Sequence, residues 1–201
     1  MESKIIKNLV RKEIREKREN LIQDEKEKLS SVIREKFLNL FEVKNAEVIM
    51  SYMDFKNEVE TGKINEILCE IGKKVLVPRV SGDKEKIIPA EVTGEYIKGS
   101  FGIEEAKGKD FLKRKIDIVI VPGIAFNEKG GRIGFGKGYY DKFFSERENT
   151  GDKILKISLA YDFQIDNRFK EEEHDENVDI IITEKRIIKV SYWKNFFCMI
   201  K

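Results

Sequence analysis

The chain has few of the residues on which disulfides, zinc sites and covalent catalysis depend. Its 201 residues include 2 cysteines and 1 histidine. Cys69 and Cys198 lie far apart and outside any zinc-type spacing, so we expect both thiols to stay reduced and to serve in packing. His174 forms no recognisable Ser–His or Cys–His arrangement, and we interpret it as a surface or capping residue rather than a general base.

Long apolar runs and a charge of one sign are also missing. No stretch approaches the roughly 20 apolar residues of a membrane span, and the first residues lack a secretory pattern, so we predict a soluble, cytoplasmic protein. Lys and Arg total 39 against 37 Asp and Glu, which leaves a formal net charge of +2. Because the two signs are interspersed, the sequence predicts neither a nucleic-acid surface nor a membrane partner.

Two amphipathic helices are predicted at the start of the chain. Residues 2–22 place several apolar side chains on one helical face: Ile6, Leu9, Val10, Ile14 and Leu21. Asp24 and Glu27 then resemble a capping box, and apolar residues recur at spacings of three and four to about residue 42. The pattern therefore predicts a helical hairpin.

The remainder of the chain alternates short apolar strands with helices, which is typical of a mostly parallel sheet covered on both faces. We find no linker or internal repeat that would divide it. The prediction is a single α/β domain over residues 1–201, with three α/β/α layers and a Rossmann-like sheet. The predicted strands are 46–52, 73–80, 86–92 (antiparallel), 116–122, 153–161, 178–183 and 187–193, and the predicted helices after the hairpin are 60–72 and 139–149.

The segment GGRIGFGKGYYD, residues 130–141, holds five glycines and follows the strongly apolar strand IDIVIVP. Glycine permits tight bends and leaves backbone N–H groups free to face a ligand. Arg132 and Lys137 indicate that this ligand is an anion. In sheets of this kind ligands bind beyond the carboxyl ends of the strands, where this segment lies. The simpler alternative is a glycine-rich turn that serves geometry alone.

An ordinary phosphate loop does not fit this segment completely. Residues 131–137 match the first seven positions of GxxxxGK[ST], but Gly138 stands where a Ser or Thr hydroxyl would bind magnesium. The physical means of binding phosphate remain, because glycine N–H groups, a lysine charge and a bidentate arginine are all present.

Residues 122–144, PGIAFNEKGGRIGFGKGYYDKFF, resemble the signature of the 5-formyltetrahydrofolate cyclo-ligase (5,10-methenyltetrahydrofolate synthetase) family, which runs approximately PG-x-AF-D-xx-G-x-RLG-x-G-x-GYYD. Asn127 replaces the usual Asp, and Ala106 replaces a common proline. The resemblance extends over nearly the whole chain through the pair Lys7 and Arg11 and through NEVET (57–61), VPR (77–79), FGIEE (101–105), AYDFQ (160–164) and HDENVDIIITE (174–184).

This resemblance implies a reaction and two substrates. The family uses ATP, with Mg²⁺, to close 5-formyltetrahydrofolate to 5,10-methenyltetrahydrofolate, releasing ADP and phosphate. ATP phosphorylates the formyl oxygen, and N10 attacks the activated carbon. The resemblance also implies a monomer.

The resemblance further assigns residues to the nucleotide. It implies that Lys137, Arg132 and Tyr139 are catalytic. The implied ATP-binding set is Lys7, Arg11, Gly131, Arg132, Gly134, Gly136, Lys137, Gly138 and Tyr139. Without the family, Lys7 and Arg11, one helical turn apart, are explained as a solvated basic face.

Metal and folate residues follow in the same way. The resemblance implies that Asp141 and Asp175 hold magnesium, with Asp179 the alternative to Asp175. The structural alternatives are a helix N-terminal charge for Asp141, where we favour the metal, and a solvated acidic run for Asp175. Glu58 would accept hydrogen bonds from the amino-pyrimidinone edge of the pterin, although it is also one of many glutamates. The implied substrate-binding set is Met53, Phe55, Glu58 and Tyr140, of which the apolar members also fit core packing. Gln164 matches the family without an assigned role.

Two other functions remain open from the sequence. A small-molecule kinase or another ATP-dependent ligase on the same scaffold would use the glycine segment to transfer phosphate to a stable product. A non-catalytic protein that binds folate or nucleotide is the second alternative.

Overall fold

The computed structural model of the protein describes residues 2–99, 102, 104–111, 115–148, 153–171 and 175–190. The predictions for His174, Cys198 and the end of the last strand, 191–193, lie outside these residues. Within the described ranges, no helix has both the length and the apolar character needed to cross a bilayer.

Five α-helices are described, and their bounds differ from the predicted ones near residue 40. The second helix ends at Asn39 because Leu40 adopts extended backbone angles (φ −61°, ψ 134°), and a separate short helix follows. The predicted capping box is wrong: Ile22 precedes the second helix without a side-chain cap, and Asp24 lies inside the first turn. The helices are α1 Glu2–Glu19, α2 Gln23–Asn39, α3 Phe41–Asn45, α4 Gly62–Glu70 and α5 Tyr139–Glu148.

A seven-stranded sheet forms the centre of the domain. Its strands, numbered along the chain, are β1 Val48–Met50, β2 Lys74–Val80, β3 Ile87–Glu91, β6 Ile118–Ile120, β9 Leu155–Leu159, β10 Ile180–Ile182 and β11 Ile187–Lys189. In space they lie in the order β11-β10-β9-β6-β1-β2-β3. The five inner strands are parallel, whereas β3 and β11 pair antiparallel at the two edges. This confirms the predicted mostly parallel sheet and its antiparallel strand over 86–92.

Helices cover both faces of this sheet, which confirms the three layers. Successive strand residues point to opposite faces: in β6, Ile118 and Ile120 belong to one buried cluster and Val119 to the other. The first cluster, here called the α2-side core, includes Phe37 of α2 and Leu68 of α4. The second is covered by α5. Burial of both faces explains why these strands are continuously apolar.

Two small antiparallel pairs were not predicted. The first joins β4 Tyr96–Lys98 to β5 Glu104–Ala106, and the second joins β7 Ala125–Phe126 to β8 Arg132–Ile133. Strands β4, β5 and β8 include polar or charged residues and β7 has only two residues, so none of them forms a continuous apolar run that a sequence pattern could detect.

The β7–β8 pair forms the base of the glycine segment and the platform for α1. Val10 and Ile14 of α1 are buried in a third cluster against Ile124, Ala125 and Ile133, whereas Leu9 of the same helix is half-exposed. The first helix therefore packs against residues more than a hundred positions later in the chain, and this brings its basic residues to the glycine segment.

The prediction that Cys69 serves in packing is wrong. Cys69 is an exposed residue of α4 and is present as a free thiol. The buried side of this helix is formed by Ile64, Asn65 and Leu68 instead.

Candidate active site

A cavity of about 470 Å³ lies at the carboxyl ends of β1, β2 and β6. Tyr52 and Met53 follow β1, Val80 ends β2, and Pro122 follows β6. Ligands of open α/β sheets bind at this end of the strands, as the sequence led us to expect.

Nearly all of the predicted site residues line this one cavity, although they come from four separate parts of the chain. The predicted residues in the lining are Lys7, Arg11, Met53, Phe55, Glu58, Arg132, Gly134, Gly136, Lys137, Gly138, Tyr139, Tyr140, Asp141 and Asp175. Their individual roles stay predictions, but the geometry brings them together.

Gly131 is the exception because it lies outside the cavity lining, and its contact with ATP stays a prediction. Its N–H donates to Asn127 Oδ1 at 2.8 Å, and its carbonyl accepts from Asn127 N–H at 3.0 Å. A Cβ at this position would lie 2.6 Å from Asn127 Nδ2. Gly131 therefore allows the backbone to approach Asn127 closely, and its N–H is already used.

Asn127 is buried and organises the turn before the glycine loop, which we define as residues 130–138. Its Oδ1 accepts from the N–H groups of Lys129 and Gly131, at 3.0 and 2.8 Å. Its Nδ2 donates to Phe169 O at 3.2 Å and to Glu171 Oε1 at 3.1 Å. The side-chain amide of Asn127 thus both donates and accepts hydrogen bonds, whereas an ionised aspartate at this position could only accept them.

We expect Asn127→Asp to lower the free energy of unfolding by about 1–3 kcal/mol at pH 7, because two donors are lost and a carboxylate faces Glu171. Repulsion would raise the folded-state pKa of the new carboxyl, so the loss should be largest above that pKa and shrink as the pH falls below it. Urea unfolding at pH 7.5 and pH 5 measures both effects, with exposed Asn177→Asp as the control. Equal stability of the two variants at pH 7.5 would contradict the prediction.

Arg132 is the most constrained cation of the cavity. Its side chain is 7% exposed, and Nη2 donates to Asp141 Oδ1 at 2.6 Å, while Nη1 contacts Pro122 O at 3.4 Å. Its buried Nε has no hydrogen-bond partner among the described residues. A buried donor without a partner is costly, so this side of the guanidinium is suited to an incoming acceptor such as a phosphate oxygen.

Helix α1 supplies two more cations to the same cavity. Lys7 Nζ lies 2.7 Å from Asp175 Oδ2. Arg11 Nε contacts the Gly134 carbonyl at 3.4 Å, and its Nη1 donates to Asn8 Oδ1 at 2.6 Å. Burial, followed by the charge of Arg15, lowers the pKa of Arg11. Its contact with the glycine loop places α1 against the predicted nucleotide site.

The carboxylates of the cavity suit a hard cation. Mg²⁺ takes oxygen ligands and keeps several waters, so one or two carboxylates together with phosphates are sufficient. Asp141 and Asp175 are both in the lining, each paired with a cation, whereas the described residues include no cluster of three or more His, Cys, Asp or Glu that would hold a metal alone. The alternative Asp179 is outside the lining and accepts Lys156 N–H at 2.7 Å. The donor set therefore fits magnesium only together with a phosphate ligand.

Glu58 is a buried carboxylate rather than one more exposed glutamate. It is 8% exposed, and its Oε2 accepts the Phe55 N–H at 2.9 Å. Burial raises the pKa of Glu58, while the charge of Arg18 acts in the opposite direction. A buried carboxylate in the wall of a cavity is a strong acceptor for paired N–H donors.

The two tyrosines after the glycine loop have different surroundings. Tyr139 OH donates to Lys84 O at 3.1 Å, which ties the start of α5 to the turn between β2 and β3. Tyr140 OH is buried without a hydrogen-bond partner among the described residues. Burial, and then the charge of Glu58, raises the pKa of Tyr140, so the hydroxyl is protonated and available as a donor.

Several lining residues were not predicted as site residues. Glu105 is buried, and its Oε1 contacts Val80 N–H at 3.4 Å. Position at a strand end was a usable signal for Tyr52, Val80 and Pro122. Of the others, all except Ile87 lie within segments that resemble the family, but the sequence assigned them no role. The unpredicted lining residues are Tyr52, Pro78, Val80, Ile87, Glu105, Pro122, Ile133, Phe135 and Glu176.

Comparisons with known proteins indicate one family. The model of the 5-formyltetrahydrofolate cyclo-ligase family matches residues 3–184. The 5-formyltetrahydrofolate cyclo-ligase of Mycoplasma pneumoniae is 30% identical over 187 residues, which cover 89% of this chain and 99% of that protein. The mouse 5-formyltetrahydrofolate cyclo-ligase is 25% identical over 186 residues, covering 87% and 92%.

Solved structures give the same result. The NMR structure of 5,10-methenyltetrahydrofolate synthetase from Aquifex aeolicus has a TM-score of 0.81 at 31% identity and covers 92% of this chain and 93% of its own. The structure of the Mycoplasma pneumoniae 5,10-methenyltetrahydrofolate synthetase has a TM-score of 0.72 at 29% identity, with coverages of 89% and 98%. Since the family model, the relatives and the fold agree over almost the whole length, the chain belongs to the 5-formyltetrahydrofolate cyclo-ligase family.

Proposed function

We propose that this ligase closes 5-formyltetrahydrofolate to 5,10-methenyltetrahydrofolate with ATP and Mg²⁺, releasing ADP and phosphate. The observation that carries the proposal is that one cavity is lined by the glycine loop with the cation Arg132 and also by the buried carboxylate Glu58. This combination suits a phosphate donor and a flat heterocycle with N–H donors held side by side.

The chemistry requires activation of a very poor leaving group. The γ-phosphoryl group of ATP passes to the formyl oxygen and ADP leaves. N10 then attacks the formyl carbon, the carbon–oxygen bond breaks with release of phosphate, and N10 gives up its proton. No protein nucleophile takes part, so the protein contributes alignment, charge stabilisation and exclusion of water.

At the nucleotide end, we assign the charge stabilisation to Lys137 and Arg132. Lys137 is an exposed residue of the glycine loop, and Arg132 is held rigidly by Asp141. Lys7 and Arg11 would contact phosphates from α1. N–H groups of Gly134, Gly136 and Gly138 would complete the phosphate cradle, and the ring of Tyr139 would border it.

Asp141 and Asp175 would hold Mg²⁺ together with the phosphates, and the bound ion would neutralise phosphate charge. Each aspartate is already paired, with Arg132 and Lys7 respectively. Binding of metal and phosphate would therefore exchange partners: the carboxylates would turn to the metal and the cations to the phosphate oxygens.

At the folate end, Glu58 would accept the paired donors of the amino-pyrimidinone edge, and the Tyr140 hydroxyl would donate to a further polar atom of the substrate. Met53 and Phe55, in the cavity wall beside Glu58, would pack on the pterin. The apolar surroundings would also limit the access of water to the activated intermediate.

The proposal is tested by following methenyl-folate absorbance and phosphate release together. We expect both to require ATP and Mg²⁺, to occur one to one, and to stop on addition of EDTA. Lys137→Ala should lower kcat by about 10²–10³-fold, because a charge aimed at the transferring phosphoryl group is lost. The control is Lys129→Ala, which removes an exposed lysine of the preceding turn outside the cavity lining and should leave kcat unchanged.

Other outcomes distinguish the alternative functions. Consumption of ATP with a phosphorylated folate as the stable product would identify a kinase. Binding of folate or nucleotide without either signal would identify a non-catalytic binding protein. Both results would reject the proposed cyclisation.

A further inference from the structure

A second buried charge, Arg18, lies directly behind Glu58. Arg18 is in the last turn of α1 and is 7% exposed. Its Nη2 is 3.9 Å from Glu58 Oε1. Glu58 lines the cavity but Arg18 does not, so the arginine supports the carboxylate from the side of the protein.

The position of Arg18 is fixed by a reciprocal pair of hydrogen bonds. Its Nε donates to Asn57 O at 3.1 Å, and Asn57 Nδ2 donates back to Arg18 O at 2.5 Å. The end of α1 is thereby attached to the residue that precedes Glu58. A guanidinium held in this way keeps its place whether or not a ligand is bound.

The charge of Arg18 matters because Glu58 is buried. Burial favours the protonated form and raises the pKa of Glu58. The charge of Arg18, followed by the hydrogen bond from the Phe55 N–H, acts to lower that pKa. Four other ionisable groups face Glu58. They are Lys26 of α2, Tyr52 and Asp54 in the segment after β1, and Tyr140 of α5. Of these, Lys26 favours the ionised carboxylate and Asp54 opposes it.

We propose that Arg18 is a positioning residue, which keeps Glu58 ionised and oriented so that it recognises the paired N–H donors of a pterin. The inference rests on the proposed function, because it takes Glu58 as the group that meets this edge. An ionised carboxylate presents two acceptor oxygens to two donors. A protonated carboxyl would direct its own hydrogen at one of those donors and lose the bidentate contact.

The test measures binding of 5-formyltetrahydrofolate to the full chain by calorimetry, with Mg²⁺ and a non-hydrolysable ATP analogue, between pH 5.5 and 8.5. We expect Arg18→Met to raise the folded-state pKa of Glu58. As the pH is lowered, the variant should therefore lose its binding of the folate at a higher pH than the unsubstituted protein does. If the pKa rises by about one unit, the loss of affinity approaches tenfold at pH values below the pKa of Glu58 in both proteins and disappears above the higher of the two.

Three matched variants define the interpretation. Arg18→Lys keeps the charge and should restore most of the binding at low pH. Arg15→Met removes an exposed arginine of the same helix and should follow the unsubstituted protein. Glu58→Gln should bind weakly at every pH. Thermal unfolding at each pH confirms that the proteins compared are folded.

The outcomes separate the inference from the function on which it rests. If the unsubstituted protein binds and Arg18→Met loses the same factor at every pH, the inference is overturned and the proposed function stands. If the unsubstituted protein does not bind the folate at any pH, both fall. If Arg18→Met does not fold, ¹³C titration of the Glu58 carboxyl in the unsubstituted protein and in Arg18→Lys decides: Glu58 ionised at pH 7 in both supports the inference, and protonated Glu58 overturns it.

Discussion

Arg132→Met is expected to lower kcat by about 10³-fold, the smallest factor typical of an arginine that stabilises a transferring phosphoryl group. Methionine retains much of the side-chain volume but removes the donors, including the buried Nε that has no partner among the described residues. The KM for folate should change little, because the charge acts on the phosphate end. Steady-state kinetics in which the concentrations of ATP and of the folate are both varied gives kcat and the KM for each substrate separately.

Two further variants show whether the effect belongs to the guanidinium. Arg132→Lys keeps a positive charge without the planar fork and should recover only part of the rate. Asp141→Asn should alter the apparent affinity for Mg²⁺ as well as the rate, because Asp141 is the partner of Arg132 and a proposed metal ligand. A kcat for Arg132→Met within a few fold of the unsubstituted protein would reject the role of Arg132.

Phe37→Ala is expected to have the largest effect on stability, lowering the free energy of unfolding by about 3–5 kcal/mol. Phe37 is completely buried in the α2-side core and is not in the cavity lining. The substitution removes a whole ring from contact with strands and leaves a cavity. For a chain of this size the melting temperature should fall by about 10 °C, while kcat per folded molecule stays unchanged.

Phe41→Ala is the matched control. Phe41 begins α3 only four residues later, yet it is 64% exposed. Its removal should change the free energy of unfolding by no more than about 0.5 kcal/mol. Calorimetric unfolding of the two variants side by side tests the prediction, and equal losses in both would contradict the difference in burial.

The central sheet could be predicted because each strand carries its own signal. Runs such as Ile118–Ile120 and Ile180–Ile182 are apolar at every position, since both faces of an inner strand are buried. The break at Leu40 and the small strand pairs had no such signal. They depend on local backbone angles and on tertiary contacts that periodicity does not encode.

Some parts of the candidate site could likewise be predicted from the sequence, and others could not. The glycine loop was found because its composition is unusual and because it follows a strand. Arg18 was not found, since in the sequence it is one more cation of a basic helix. Its position behind Glu58 depends on the contact between α1 and Asn57, two parts of the chain that are 39 residues apart. The hydrogen bond from the Gly131 N–H to Asn127 was missed for the same reason, because it depends on loop geometry.

The packing of α1 has a consequence for the order in which the molecule is assembled. Val10 and Ile14 pack against Ile133 and Phe169, so α1 meets the last part of its platform only after the ribosome has added some 150 further residues. At ordinary translation rates this delay is on the order of 10 s. During that interval the apolar stripe of α1 is exposed to chaperones, and Lys7 and Arg11 have no cavity to enter. The proposed nucleotide site is therefore completed late in synthesis, when α1 docks.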